Sequence, residues 1–100
     1  VGAGAIEGIE NIHADLFFMG VTGIHPEAGL TTGDFEEACI KRAFSGRAAE
    51  TVVLASPEKI NTASSFVIGD VSLANTIVID GNTDEDWIRA ISEKGVSIIA

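Results

Sequence analysis

The segment Gly29 to Asp34, GLTTGD, sets two hydroxyls, Thr31 and Thr32, between two glycines and ends on a residue able to open a helix. Free amides and the positive end of a helix dipole favour an anion at such a place, so a phosphate could dock there. The competing reading is a plain capping loop in which Asp34 itself occupies the positive end. Lys59 stands in ASPEK, just beyond a β-branched run, where its ammonium could reach a ligand phosphate as a point charge. A solvated surface lysine is the bland alternative. Lys41 lies four residues after Glu37, the spacing of a surface ion pair. His25, in a glycine-rich stretch, could donate to an oxyanion or exchange protons near neutral pH, although a lone loop histidine is more often simply exposed.

Other chemistries find less support. No HxH, HExxH or CxxC spacing gathers ligands around His13 or His25, so no metal site and no cofactor is expected. Gly20, Gly23 and Gly29 follow GxxGxxxxxG rather than the GxGxxG of a dinucleotide turn. Ser45 and Ser56 lack the GxSxG context of an activated nucleophile, and Cys39 falls on the apolar face of a helix, where a small buried thiol is expected. Asp80 and Asp84 read as a turn followed by a cap, with metal binding the lesser alternative.

The elements that must hold these groups follow from hydrophobic periodicity. DLFFM (Asp15 to Met19), TVVLA (Thr51 to Ala55), TIVI (Thr76 to Ile79) and Val96 to Ile99 are short apolar runs bounded by turn residues, the pattern of buried parallel strands. Gly4 to Ile12 spaces Ile6, Ile9 and either Ala5 or Ile12 as a short helix. Asp34, with Glu37 completing a capping box, predicts a helix to about Ala49, its inward face carrying Phe35, Ala38, Cys39, Ala43 and Gly46. Asn82 or Thr83 opens a last helix that turns Trp87, Ile88 and Ile91 inward and stops at Gly95. Phe66 to Ile68 reads as an edge strand and Val71 to Ala74 as a single turn. Gly20 to Gly33 reads as a fourteen-residue loop, long enough to imply a task.

The expected fold is therefore α/β: a mostly parallel sheet with flanking helices, doubly wound or close to it. In such sheets ligands lie at the carboxyl ends of the strands. Three loops would share that edge: Gly20 to Gly33, Ser56 to Thr62, and Asp80 to Thr83.

Composition narrows the function. With 100 residues, 46% of them hydrophobic, the chain has enough for one core and one domain. Six basic against fifteen acidic side chains give a net charge of −9, so this stretch should not grip DNA by itself. The longest apolar run falls far short of the roughly 20 residues a membrane helix needs, and no membrane association is expected. A lone cysteine fits a reducing compartment, with cytoplasm the default. The opening VGAGAIEG, with neither Met nor a basic leader, reads as the interior of a longer protein.

The run ADLFFMGVTGIHPEAGLTTGDFEEACIKRAF, continuing into ETVVLASPEK, resembles the C-terminal sensor domain of DeoR-type regulators of sugar metabolism. The likeness rests on Gly20 after the first strand, Gly29 to Thr32, Glu36 to Arg42, and Pro57 to Lys59. It implies a fold similar to ribose-5-phosphate isomerase and aminosugar-phosphate deaminases, a phosphorylated sugar as effector, and DNA contact only through an N-terminal winged helix-turn-helix outside these residues. On that view residues 1–100 are a piece of the sensor, with the DNA-binding domain and the sensor's glycine-rich phosphate loop upstream. Many such sensors carry Asp where Thr22 and Ser56 stand. The isomerase-like enzymes carry carboxylates after the first strand, whereas this chain has Met19, Val21 and Thr22, and Ile40 before Lys41 where they place a catalytic Glu. Without that base, enediol chemistry loses roughly 10²- to 10⁴-fold in rate, which favours sensing over turnover.

Three functions are compatible with these residues. The first is a sensor holding a phosphorylated sugar through Thr31, Thr32, Lys59 and the amides near Thr22 and Gly23. The second is a sugar-phosphate isomerase or aminosugar-phosphate deaminase on the same fold, using His25. The third is an oligomerisation domain, since such regulators act as homo-oligomers and a mean hydropathy of +0.32 leaves apolar surface to hide.

Overall fold

A computed structural model describes residues 3–100. In chain order the helices and strands are α1 (Ala3–Glu10), β1 (Ala14–Gly20), β2 (Gly23–His25), β3 (Gly29–Thr32), α2 (Phe35–Arg47), β4 (Ala48–Ala55), β5 (Phe66–Gly69), β6 (Thr76–Ile79), α3 (Glu85–Ser92) and β7 (Ser97–Ile99). Single 3-10 turns at Pro57–Lys59 and Val71–Leu73 join the strands around β5.

The four apolar runs form one parallel sheet in the order β1-β4-β6-β7. Their side chains alternate between faces, as the two-residue period of a strand requires. One face carries Met19, Val53, Ala55, Ile77 and Ile79, all buried in a core that also takes in Ala38 of α2 and Trp87 and Ile91 of α3. The α/β architecture with flanking helices is as expected. The order of the described strands runs one way across the sheet, however, without the reversal that defines double winding.

A second sheet, antiparallel and ordered β2-β3-β5, occupies the stretch expected to be a loop. Ile24, Leu30 and Ile68 from its three strands are completely buried in the same core. Burial along nearly their whole length makes GIH and GLTT strands despite their glycines, which weaken intrinsic strand preference. Phe66 to Ile68 is an edge strand, as expected, and β5 extends it to Gly69.

Helix α2 starts where the sequence indicated, with the Asp34 carboxylate accepting from the Glu36 amide at 2.9 Å. Glu37 does not close a capping box; its carboxylate accepts instead from the Thr32 hydroxyl at 3.2 Å. The helix passes into β4 without a loop, at Arg47 and Ala48, earlier than the Ala49 expected. Phe35 is 62% exposed and meets Phe66 edge-on, so it belongs to a surface pair rather than the inward face. Helix α1 ends at Glu10, short of the Ile12 expected: Ile9 is buried, and Ile12, beyond the helix, is exposed; the side chain of Ala5 lies outside the described residues. At α3, Asp84 rather than Asn82 or Thr83 is the cap, accepting from the Asp86 amide, and Trp87 and Ile91 turn inward as expected.

Candidate functional site

Parallel strands put all their carboxyl ends on one edge. There Gly20, Leu54, Val78 and Ile99 form a row of register partners across β1, β4, β6 and β7. Over this row opens a cleft of about 340 Å³ lined by Leu54, Ala55, Ser56, Lys59, Val78 and Asp80. Lys59 reaches it because Pro57 starts a 3-10 turn directly after β4, with the Lys59 amide donating to the Ser56 carbonyl at 3.0 Å. The fixed φ and missing N–H of proline suit the first position of such a turn.

The cleft is chemically mixed. Leu54, Ala55 and Val78 supply apolar surface, while Lys59 and Asp80 bring opposite charges. Among the described residues neither charged side chain has a hydrogen bond or ion pair, and they do not pair with each other; the one ion pair is Arg89 with Asp86 on α3. The Ser56 hydroxyl is committed to the Glu58 carboxylate. That bond, with Glu58's own amide and the Lys59 charge behind it, holds the Glu58 carboxyl below the usual glutamate range.

The segment leaving this cleft runs against the hairpin of β2 and β3. Ile60 bridges Ile24 in parallel fashion, and the Asn61 amide donates to the Ile24 carbonyl at 2.8 Å. The Thr62 hydroxyl donates to the Lys59 carbonyl at 2.9 Å and approaches that of Thr22 at 3.5 Å. The turns after DLFFM and TVVLA therefore stand side by side. Gly23 permits this approach, because a Cβ there would lie 2.6 Å from the Thr62 carbonyl oxygen.

The candidate residues divide accordingly. Lys59 lines the cleft, and Thr22 and Gly23 sit behind it across residues 59–62. Thr31 is 1% exposed; its hydroxyl donates to the Gly23 carbonyl at 3.2 Å and accepts from the Ser64 amide at 2.8 Å. In this conformation it joins the hairpin to the segment before β5. The Thr22 amide donates to the Thr31 carbonyl at 3.0 Å, and the Thr22 hydroxyl is shared between that carbonyl and Ser64. Thr32, equally buried, turns toward Glu37 at the start of α2. His25 closes the hairpin turn: its Nδ1 accepts from the Glu27 and Ala28 amides at 3.1 and 3.2 Å. Lys41 does not pair with Glu37 but donates to the Gly20 carbonyl at 2.7 Å, satisfying the end of β1. Asp80, read from the sequence as a turn residue with metal binding the lesser alternative, lines the cleft at the edge where its loop was expected. No group of metal-binding side chains occurs among the described residues.

A second cleft, of about 400 Å³, opens at the opposite edge between His13, Asp15 and Arg47. Arg47 is occupied there, donating to the Ile12 carbonyl at 3.0 Å and lying against the His13 ring.

A one-core α/β domain with a charged cleft at the carboxyl edge of a parallel sheet is the architecture of a small-ligand-binding module. Comparison of sequences makes the class specific: the DeoR C terminal sensor domain matches residues 1–81, and the chain belongs to that family. Over 98 residues it is 29% identical to a protein of Escherichia coli O157:H7 whose name assigns it to transcriptional repression of the aga operon, covering 98% of this chain and 36% of that protein. It is 29% identical over 99 residues to the HTH-type transcriptional regulator GlpR of Haloferax volcanii, covering 99% of this chain and 39% of the relative. An uncharacterized HTH-type transcriptional regulator, FruR of Bacillus subtilis (strain 168), is 34% identical over 79 residues, covering 76% of this chain and 32% of the relative. The chain thus spans between 32% and 39% of the length of these relatives, whose names make them transcriptional regulators. No helix among the described residues is long and apolar enough to cross a membrane.

Proposed function

We propose that this domain senses a phosphorylated sugar at the carboxyl edge of its parallel sheet and transmits occupancy to a DNA-binding domain of the same polypeptide. Lys59 meets the phosphate as a point charge, over the apolar floor of Leu54 and Val78. Thr22 and Gly23, against residues 59–62, stand beside this cleft with Thr31 bonded to both, while Thr32 turns toward Glu37 and would take part only if that bond opened. The observation that carries this reading is the unpaired Lys59 in a cleft at strand ends, in a member of a sensor-domain family. DNA contact belongs to an N-terminal winged helix-turn-helix outside these residues, since a net charge of −9 opposes binding to a polyanion. The protein works in the cytoplasm and as a regulator rather than an enzyme.

Calorimetric titration of the full-length protein with pentose and hexose phosphates tests the site. Lys59→Ala is expected to weaken binding by roughly tenfold or more, the worth of a charge-assisted hydrogen bond. Unchanged affinity would remove Lys59 from the site.

The whole protein is a homo-oligomer on this reading. Leu16, Phe18 and Ile99, none of which lines the cleft, remain exposed on the sheet face away from the core, where a second copy would cover them. Sedimentation giving a monomer at every concentration would contradict it.

A further inference from the structure

We propose that Asp80 reads the ligand's hydroxyl groups, so that the cleft selects a phosphorylated sugar over a bare phosphate; this rests on the assignment of Lys59 as the phosphate partner.

An ionised carboxylate can only accept hydrogen bonds, as can the oxygens of a phosphate dianion. A bare anion drawn to Lys59 would meet Asp80 as a like charge in the same cleft. The two side chains line one cavity without pairing with each other, and neither is engaged elsewhere among the described residues. The arrangement therefore fits a ligand with two chemically different ends, an anion for the lysine and hydroxyl donors for the aspartate. Between them Leu54 and Val78 offer apolar surface to the C–H face of a sugar.

Asp80 is also held in place. Its amide donates to the Ala55 carbonyl at 3.3 Å, extending the pairing of β4 and β6 by one residue. The next residue, Gly81, has φ of +129° and packs so closely on the Pro57 ring that a Cβ would lie 2.8 Å from its Cγ. The turn carrying Asp80 therefore packs against the turn carrying Lys59 at Pro57, which places both side chains on one cleft.

The test uses the full-length protein with Asp80→Ala, Asp80→Asn and Lys59→Ala, titrated with inorganic phosphate and with a panel of pentose and hexose phosphates. Asp80 is exposed and its side chain has no partner to lose, so the two Asp80 variants should keep the parent's thermal midpoint. Asp80→Ala is expected to weaken the tightest-binding sugar phosphate by roughly tenfold or more while leaving inorganic phosphate unchanged or tighter. Asp80→Asn, which keeps an acceptor without the charge, should lose less. Lys59→Ala should weaken both ligands. Wild-type preference retained in Asp80→Ala, with Lys59→Ala still weakening both, would overturn the role of Asp80 alone. Lys59→Ala without effect on either ligand would overturn the site and this inference with it. A wild-type protein that binds no sugar phosphate more tightly than inorganic phosphate would also overturn it.

Discussion

A methyl group added at Gly23 would stand 2.6 Å from the Thr62 carbonyl oxygen and 2.7 Å from the Thr31 hydroxyl. Both neighbours are fixed, one by backbone and the other by two hydrogen bonds, so relief requires the segment after Lys59 to move away from the hairpin. Gly23→Ala is expected to cost about 1–3 kcal/mol of stability, the range for overpacking a filled site. Gly20→Ala, where a Cβ meets nothing within 4 Å, should change stability by less than about 0.5 kcal/mol. Denaturant melts of the two variants check the contrast, and equal stabilities would contradict it. Individual residues differ in how far the sequence reveals them. Lys59 could be singled out because a lysine just past a buried run must emerge near a strand end. Asp80, directly after TIVI, could be placed at the same edge, but its Asp-Gly pair predicts a turn whether or not the carboxylate faces a cleft, so its part in the site was not legible. The partners of Lys41 and His25 were hidden for another reason: both bond to backbone groups, and sequence spacing shows only nearby side chains.

Strands β1, β4, β6 and β7 were readable because apolar runs too short for helices end at glycine, proline or aspartate. The hairpin of β2 and β3 was not, because three glycines and a proline between Gly20 and Gly29 mask any alternation. What makes them strands is tertiary: Ile24 and Leu30 have no exposed surface, and β5 reaches them from more than thirty residues away. Helix α2 ties that small sheet to the large one. Arg42 donates from Nε to the Ile68 carbonyl at 2.8 Å and from Nη2 to the Val67 carbonyl at 2.7 Å, occupying the acceptors of edge strand β5. Arg42→Ala should therefore lower stability by about 1–3 kcal/mol, and Arg42→Lys should restore only part, since one ammonium does not reproduce the planar fork. Hydrogen exchange of the full-length protein would show the loss concentrated in β5 and β3. Uniform protection across both sheets would contradict the clamp.

Taken as one body, the domain has a single core between a parallel sheet and a smaller antiparallel one, with its charged cleft at the edge where parallel strands end. The parallel sheet, its helices and the sensor family could be read from the sequence, because buried strands and the GLTT and ASPEK segments are local patterns. The one-way strand order and the second sheet depend on which distant segments pair. Of the clefts among the described residues, one lies around Lys59 and Asp80 and another, at the opposite edge, around His13, Asp15 and Arg47, and the central claim is that the effector uses the first. Backbone amide shifts of the isotope-labelled full-length protein, followed while a binding sugar phosphate is added, decide between them. The account predicts the largest changes at Gly20, Lys59, Gly81 and the residues around Thr62, with His13, Arg47 and Ala49 nearly still. Changes centred on His13 and Arg47, with the Lys59 turn unmoved, would contradict it.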